Sequence, residues 1–198
     1  MPRFACILSA SLFVLAGACG GGGSAAAGGA LDGAVHGQSI MIEDAVSAAV
    51  TITVGSTPAH AAAVALSTTK NLCADAMSNT QHPNEKLVAF FLVDVNGATL
   101  NAPTAPGTYT AYQGSGTPPA KFASFGVQVT DATCQDVSAQ DAAGASGTVT
   151  LSSVSGNSFS GSFDLVLDSG DHVTGSFDPG ACPALANQVN STTPSSCM

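Results

Sequence analysis

The sequence contains no tryptophan, two tyrosines, only 9% charged residues, and four lysines and arginines against 13 acids. Each scarcity excludes something. Arg3 belongs to an N-terminal export segment, so the mature chain carries Lys70, Lys86 and Lys121 as its only permanent cations. Neutralising phosphates needs a basic face, so nucleic acid is excluded as a partner, and so is charge-driven adhesion to anionic headgroups. Low charge combined with 45% hydrophobic residues is not a disordered composition. Without tryptophan, an aromatic platform for sugar stacking would rest on Tyr109 and Tyr112 alone. No Cys-x-x-Cys pair exists, and His36, His60, His82 and His172 do not fall at ligand spacing, so no metal is expected. There is no phosphate-binding loop and no dinucleotide fingerprint, hence no expected cofactor. Gly144-Ala145-Ser146-Gly147 misses the Gly-x-Ser-x-Gly nucleophile elbow by one residue.

What is present begins at the N-terminus. Arg3 precedes an apolar run from Phe4 to Leu15, too short for the roughly 20 residues that span a bilayer but suited to the core of a secretory signal. Ala16-Gly17-Ala18 follows as a small-residue cleavage site, directly before Cys19. Leu15-Ala16-Gly17-Ala18-Cys19 resembles the lipobox of bacterial lipoproteins, except that Ala16 stands three residues before the cysteine, where leucine is usual. Lipoprotein processing and ordinary secretory cleavage both cut Ala18–Cys19; they differ in whether Cys19 becomes a lipid-modified N-terminus. Gly20 to Gly29 is almost wholly Gly, Ala and Ser, the composition of a tether. The expected organisation is therefore a signal peptide over 1–18, a lipid-anchored tether over 19–38 and a β domain over 39–198. The resemblance implies attachment to a membrane through lipid on Cys19. It also implies sorting to the outer membrane, on its periplasmic or outward face, because Gly20 is not the aspartate that retains such proteins at the inner membrane.

Cys6 leaves with the signal. Cys73, Cys134, Cys182 and Cys197 remain, an even number suited to two disulfides in an oxidising compartment. Of the three possible connectivities, spacing favours Cys73–Cys134 and Cys182–Cys197, the second pinning a tail rich in coil signals such as Pro183 and Pro194.

The hydrophobic period is two. Ile40, Ile42, Val46, Ala48, Val50, Ile52 and Val54 share one parity, interrupted only by Asp44, which reads as a bulge, a turn or a ligand group. Ala62, Val64 and Leu66 continue the pattern, and Asn71 to Met77 reads as a helical turn holding Cys73. Leu87 to Val93 is apolar throughout, as in a strand buried on both faces. Phe125, Val127 and Val129 alternate again. Phe159, Phe163, Leu165 and Leu167 share one face, between the turns Gly156-Asn157 and Asp168-Ser169-Gly170-Asp171. Gly-Ser-Phe-Asp occurs twice, at 161–164 and 175–178, and each glycine leaves room for a ring from the neighbouring strand. About eight or nine short strands, all-β and disulfide-stapled, indicate an antiparallel β-sandwich or small β-barrel. Pro106-Gly107-Thr108-Tyr109, Gly147-Thr148-Val149, Gly161-Ser162-Phe163, and Gly175-Ser176-Phe177 followed by Cys182 resemble the last strands of uncharacterised small all-β lipoproteins of Gram-negative bacteria. That resemblance implies no activity.

No catalytic residue is assigned. His36 falls in the tether, His82 in a polar stretch beside Pro83, and His172 after a tight turn, all three expected to be exposed. His60, at a strand start, is the one candidate general base. Asp94-Val95-Asn96-Gly97 and Asp168 to Asp171 read as plain turns rather than calcium loops. The expectation is a non-enzymatic envelope domain with a binding or structural role and a protein or carbohydrate partner. The rivals are a ligand-binding β domain, which a large apolar cavity would favour, and a hydrolase, which a His–Ser or His–Asp pair in a cleft would favour.

Overall fold

The computed structural model describes residues 28–54, 57–114, 116–191 and 193–198. The signal segment, Cys19 and residues 20–27 of the tether lie outside the described residues. Residues 28–38, assigned above to the tether, do not belong to it. Gly28–Val35 forms strand β1, Gln38–Ser39 forms β2, and β1 pairs with a strand near the far end of the chain. Gly and Ala content marked this stretch as linker, but it alternates in burial along β1 and ends in the buried Val35.

Alternation produces the long strands as expected: β3 (Asp44–Val54), β4 (Thr57–Ser67), β6 (Lys86–Asn96), β8 (Gly107–Ala111), β9 (Lys121–Val129), β10 (Ala142–Ser155), β11 (Ser158–Leu167) and β12 (His172–Asp178). Between them fall helix α1 (Leu72–Ser78), β5 (Thr80–Gln81) and β7 (Thr99–Asn101); after them come β13 (Gly180–Ala181), helix α2 (Pro183–Gln188) and β14 (Ser196–Cys197). The described residues thus hold 14 strands rather than eight or nine. The excess is β2, β5, β7, β13 and β14, which are only two or three residues long and too short to carry a readable period.

Nor is the sheet purely antiparallel. Twelve strands run in one sheet in the order β13-β3-β4-β6-β9-β8-β10-β11-β12-β1-β2, with β7 beside β6; β14 and β5 form a separate pair. The pairs β13–β3, β8–β9 and β14–β5 are parallel and the rest antiparallel. The parallel β8–β9 pair follows from a crossover through Pro118-Pro119, which no hairpin pattern signals.

The large sheet curls into a half-barrel around one core. Val88, Phe90 and Leu92 of β6, Phe125 and Val127 of β9, and Phe163, Leu165 and Phe177 from β11 and β12 all face inward. Where the curl brings β3 back towards the other end of the sheet, Ser47 bridges the gap. Its buried hydroxyl donates to Asn157 O at 3.0 Å and accepts from Phe159 N at 3.3 Å. A second cluster lies on the outside of β3, β4 and β6, where Val46, Ala48, Val50, Ala61, Ala63 and Ala65 meet Leu72, Ala76 and Leu185 of the two helices. The best alternating face in the sequence, that of β3, therefore points outward under helices.

The disulfides join Cys73 to Cys182 and Cys134 to Cys197. This corrects the expected pairing. Cys182 lies near Cys197 in sequence, but β13 docks beside β3 and sets Cys182 in the helix layer over Cys73. Cys134 follows β9 and meets the tail where β14 lies along β5. The closed loops span 109 and 63 positions, and chain entropy makes each crosslink worth about 4–5 kcal/mol.

The two Gly-Ser-Phe-Asp copies pair reciprocally: Gly161 stands opposite Phe177, and Phe163 opposite Gly175. A Cβ on Gly161 would run into the carbonyl of Thr150 and the Phe177 ring, and one on Gly175 into the carbonyl of Ala30 and the Phe163 ring. Gly175→Ala is therefore expected to lower stability by about 3 kcal/mol through overpacking. Urea unfolding of the oxidised protein checks this, and an unchanged midpoint would show that the ring does not occupy the glycine's space.

Candidate functional site

Two of the four histidines, His36 and His82, do not lie where sequence placed them. His36 occupies the β1–β2 turn rather than a tether. Its backbone N donates to the Asp171 carboxylate at 2.7 Å, and its Nε2 lies 3.0 Å from Asp141 O. His60, the candidate base, is exposed on β4, with Nδ1 3.1 Å from the Thr51 hydroxyl across the β3–β4 ladder. That is an ordinary cross-strand contact on an open face. His172 is exposed and lies 2.7 Å from Asp164. His82, expected in solvent, is half-buried, its Nε2 3.0 Å from the carboxylate of Asp75.

His82 and Asp75 belong to the most densely bonded polar cluster in the described residues. Asp44 organises its first part. One carboxylate oxygen accepts from Ala45 N at 2.8 Å; the other accepts from Leu72 N at 2.8 Å, at a helix start where Asn71 provides no side-chain cap. The acid that broke the apolar pattern is thus a cap supplied from a neighbouring strand. Helix α1 then sets Asp75 on its buried side. After β5 the chain turns through Asn84, in the left-handed region at φ 58°, and delivers Glu85 into the interior. The Glu85 carboxylate accepts from the Ser67 hydroxyl at 2.5 Å, the Thr69 hydroxyl at 2.9 Å and His82 N at 3.3 Å. Thr130 locks the turn, its hydroxyl donating to His82 O at 2.8 Å and accepting from Glu85 N at 2.9 Å.

Burial raises the pKa of Asp75, and the nearby carboxylates Glu85 and Asp44 raise it further, against the lowering effect of the His82 hydrogen bond and charge. A His–Asp pair of this kind is the arrangement a general base requires. The space beside it, however, is a cavity of ≈20 Å³ lined by Asp75, Thr80, Gln81, Glu85, Thr130 and Gln188. That holds about one water molecule.

The other residues singled out from sequence have local roles. Tyr109 is fully buried, its hydroxyl 2.8 Å from Asp94 Oδ1, and Tyr112 packs on Phe122 with ring centroids 5.3 Å apart. The Tyr109 ring is not free to stack on a sugar, and Tyr112 is partly exposed beside Phe122. Burial, together with the Asp94 carboxylate, pushes the Tyr109 phenol well above its ordinary range and keeps it a neutral donor. Lys121 completes this end of the barrel, 3.0 and 3.1 Å from the two Asp94 oxygens. In the turn after β11, Asp168 accepts from Ala143 N and Asp171 from His36 N and the Ser169 hydroxyl. No group of three or more His, Cys, Asp or Glu among the described residues is arranged to hold a metal. A shallow, open groove of ≈670 Å³ crosses the outer face of β10, β11, β12 and β1, floored by small residues such as Gly28, Ala30, Ser152, Ser160 and Ser176.

Asp75, Glu85 and Thr130 went unassigned in the sequence. The one usable signal was an acid on the apolar side of a short helix seven positions before a histidine. The chain matches no protein-family model, no curated protein and no solved structure.

Because the folded pKa of Asp75 lies above its unfolded value of 3.8, the folded state binds that proton more tightly. Its ionisation therefore destabilises the fold above the raised pKa, and the penalty is relieved as pH falls towards the unfolded value. Asp75→Asn should remove this contribution: the stability difference between variant and wild type is expected to favour the variant more at pH 7 than near pH 4. Urea midpoints of both proteins across that range decide it, and a pH-independent difference would mean that the Asp75 carboxylate is not penalised by burial.

Proposed function

We propose that the chain is a lipid-anchored module of the cell envelope with a non-enzymatic binding or structural role, carried on a small barrel left open at one seam. The observation that carries this reading is the pair of disulfides in a chain whose N-terminus resembles a lipoprotein signal: structural disulfides persist in oxidising, exported compartments. The start of β1 at Gly28 fits the same reading. It leaves the Gly/Ala/Ser segment 20–27 between Cys19 and the barrel. In this reading the membrane that carries the lipid is the outer membrane. Among the described residues no helix is long and apolar enough to cross a membrane, so in this reading attachment falls to lipid on Cys19. The filled interior speaks against a lipid carrier; the open groove on β10–β12 and β1 favours a carbohydrate or protein surface as the alternative ligand.

Two measurements test the reading. The intact mass of membrane-extracted protein should correspond to a chain starting at Cys19 with acyl chains added, and Cys19→Ser should abolish both the added mass and membrane retention. An unmodified Cys19 would refute the anchor. The mature protein should also show no turnover on esterase, glycosidase and peptidase substrate panels. An activity that survives repurification and disappears in His82→Ala or His60→Ala would refute the non-enzymatic role.

A further inference from the structure

The two disulfides sit in different surroundings. Cys73–Cys182 lies within the helix layer, and Cys182 is fully buried. In Cys134–Cys197 the first partner is buried, while the second is exposed on β14. The residues around Cys197, Pro194–Met198, contribute to neither hydrophobic cluster. They are held across β5 by polar contacts: Ser196 N to Asn79 O at 2.9 Å, Met198 N to Gln81 O at 3.1 Å, Asn79 Nδ2 to Pro194 O at 2.8 Å, and the Ser195 hydroxyl to Gln81 Oε1 at 2.5 Å. Segments with few buried apolar contacts open at low free energy, so the covalent bond is the main restraint on this one. Beneath it Asn79, Thr80 and Gln81 are buried, and Thr80 and Gln81 line the small cavity that Asp75 and Glu85 also line.

We propose that Cys134–Cys197 is a thiol-responsive latch, whose reduction by a dithiol lifts Pro194–Met198 off β5 while the half-barrel stays folded. A thiolate of the dithiol attacks the sulfur of the exposed Cys197; the Cys134–Cys197 bond breaks, and Cys134 leaves as a thiolate that takes up a proton. The second thiol of the reductant then attacks the mixed disulfide, closing the reductant's own disulfide and releasing Cys197 as a thiol. Two electrons pass from the dithiol to the protein. In Cys73–Cys182 one sulfur belongs to the fully buried Cys182 and the other to the partly buried Cys73, so this bond offers less access to the same attack.

The mature protein with both disulfides formed is titrated with dithiothreitol under native conditions, free thiols are trapped by alkylation, and hydrogen exchange is followed at the same points. Cys134 and Cys197 should be alkylated at a dithiol concentration at least about tenfold below that needed for Cys73 and Cys182. At that stage the amides of Ser196 and Met198 should lose protection while those of β6 and β11 keep theirs. Cys197→Ser should fold with the same protected core and an unprotected tail. Reduction of both disulfides together, native protection of the tail after selective reduction, loss of β6 protection with the first disulfide, or failure of Cys197→Ser to fold would each overturn the proposal.

Discussion

Four phenylalanine rings meet inside the half-barrel, and the sheet's curvature depends on their fit. Phe90 is the hub, with centroids 4.9 Å from Phe125, 5.0 Å from Phe163 and 5.4 Å from Phe177. Tilted and edge-on pairs of this kind contribute about 0.5–1.5 kcal/mol each beyond their buried area. Tyr109 and Phe159 add two further aromatic rings to the same core. The rings come from β6, β9, β11 and β12, so they can meet only if the sheet bends. Gly144, Gly161 and Gly175 lie against Phe125, Phe177 and Phe163, and a methyl group at any of them would press on its ring. Glycine thus lets bulky side chains settle close to the backbone of the neighbouring strand.

The outer layer solves the opposite problem. Strands β4 and β6 are apolar on both faces and β3 on its outer one, so this side needs a cover, yet the covering helices have only seven and six residues. Helices that short are marginal by themselves. Alanines at 48, 61, 63 and 65 let them approach the sheet closely, and the Cys73–Cys182 bond ties one to the other. Asp44 caps the first from the strand it covers. Sheet, helices and crosslink stabilise one another here.

Strand periodicity was legible in the sequence wherever a strand buries one face for five residues or more, and the Gly-Ser-Phe-Asp repeat disclosed its ring-over-glycine packing in advance. The apolar run Leu87 to Val93 also correctly announced a strand buried on both sides. Connectivity was not legible. Cysteine pairing depends on where the chain lies after β13 and β9, which is set by a parallel docking and a crossover rather than by spacing. β1 was hidden because Gly and Ala dominate both a linker and a strand that packs beneath large neighbours: Gly29 lies against Leu66 and Ile42. The Asp75–His82–Glu85 cluster was hidden for a related reason. Its members come from a helix, a turn and the start of a strand, and their convergence is tertiary. The sequence did flag Asp44 as out of place, and that oddity proved to be the entry to the cluster.

The position of β1 has a consequence for how the protein reaches this state. The first strand of the sheet pairs with β12, Gly28 opposite Asp178, and the strand edge it covers does not exist until nearly all of the chain is available. Pairings of such long sequence separation close late and slowly. A chain made from its N-terminus delivers β1 long before its partner β12, so β1 waits unpaired while the intervening chain is synthesised. With its Gly- and Ala-rich composition and its few large apolar groups, β1 is poorly suited to pair with the wrong neighbour during that wait. The weak strand propensity that disguised it as a linker thereby also protects the nascent chain from misassembly.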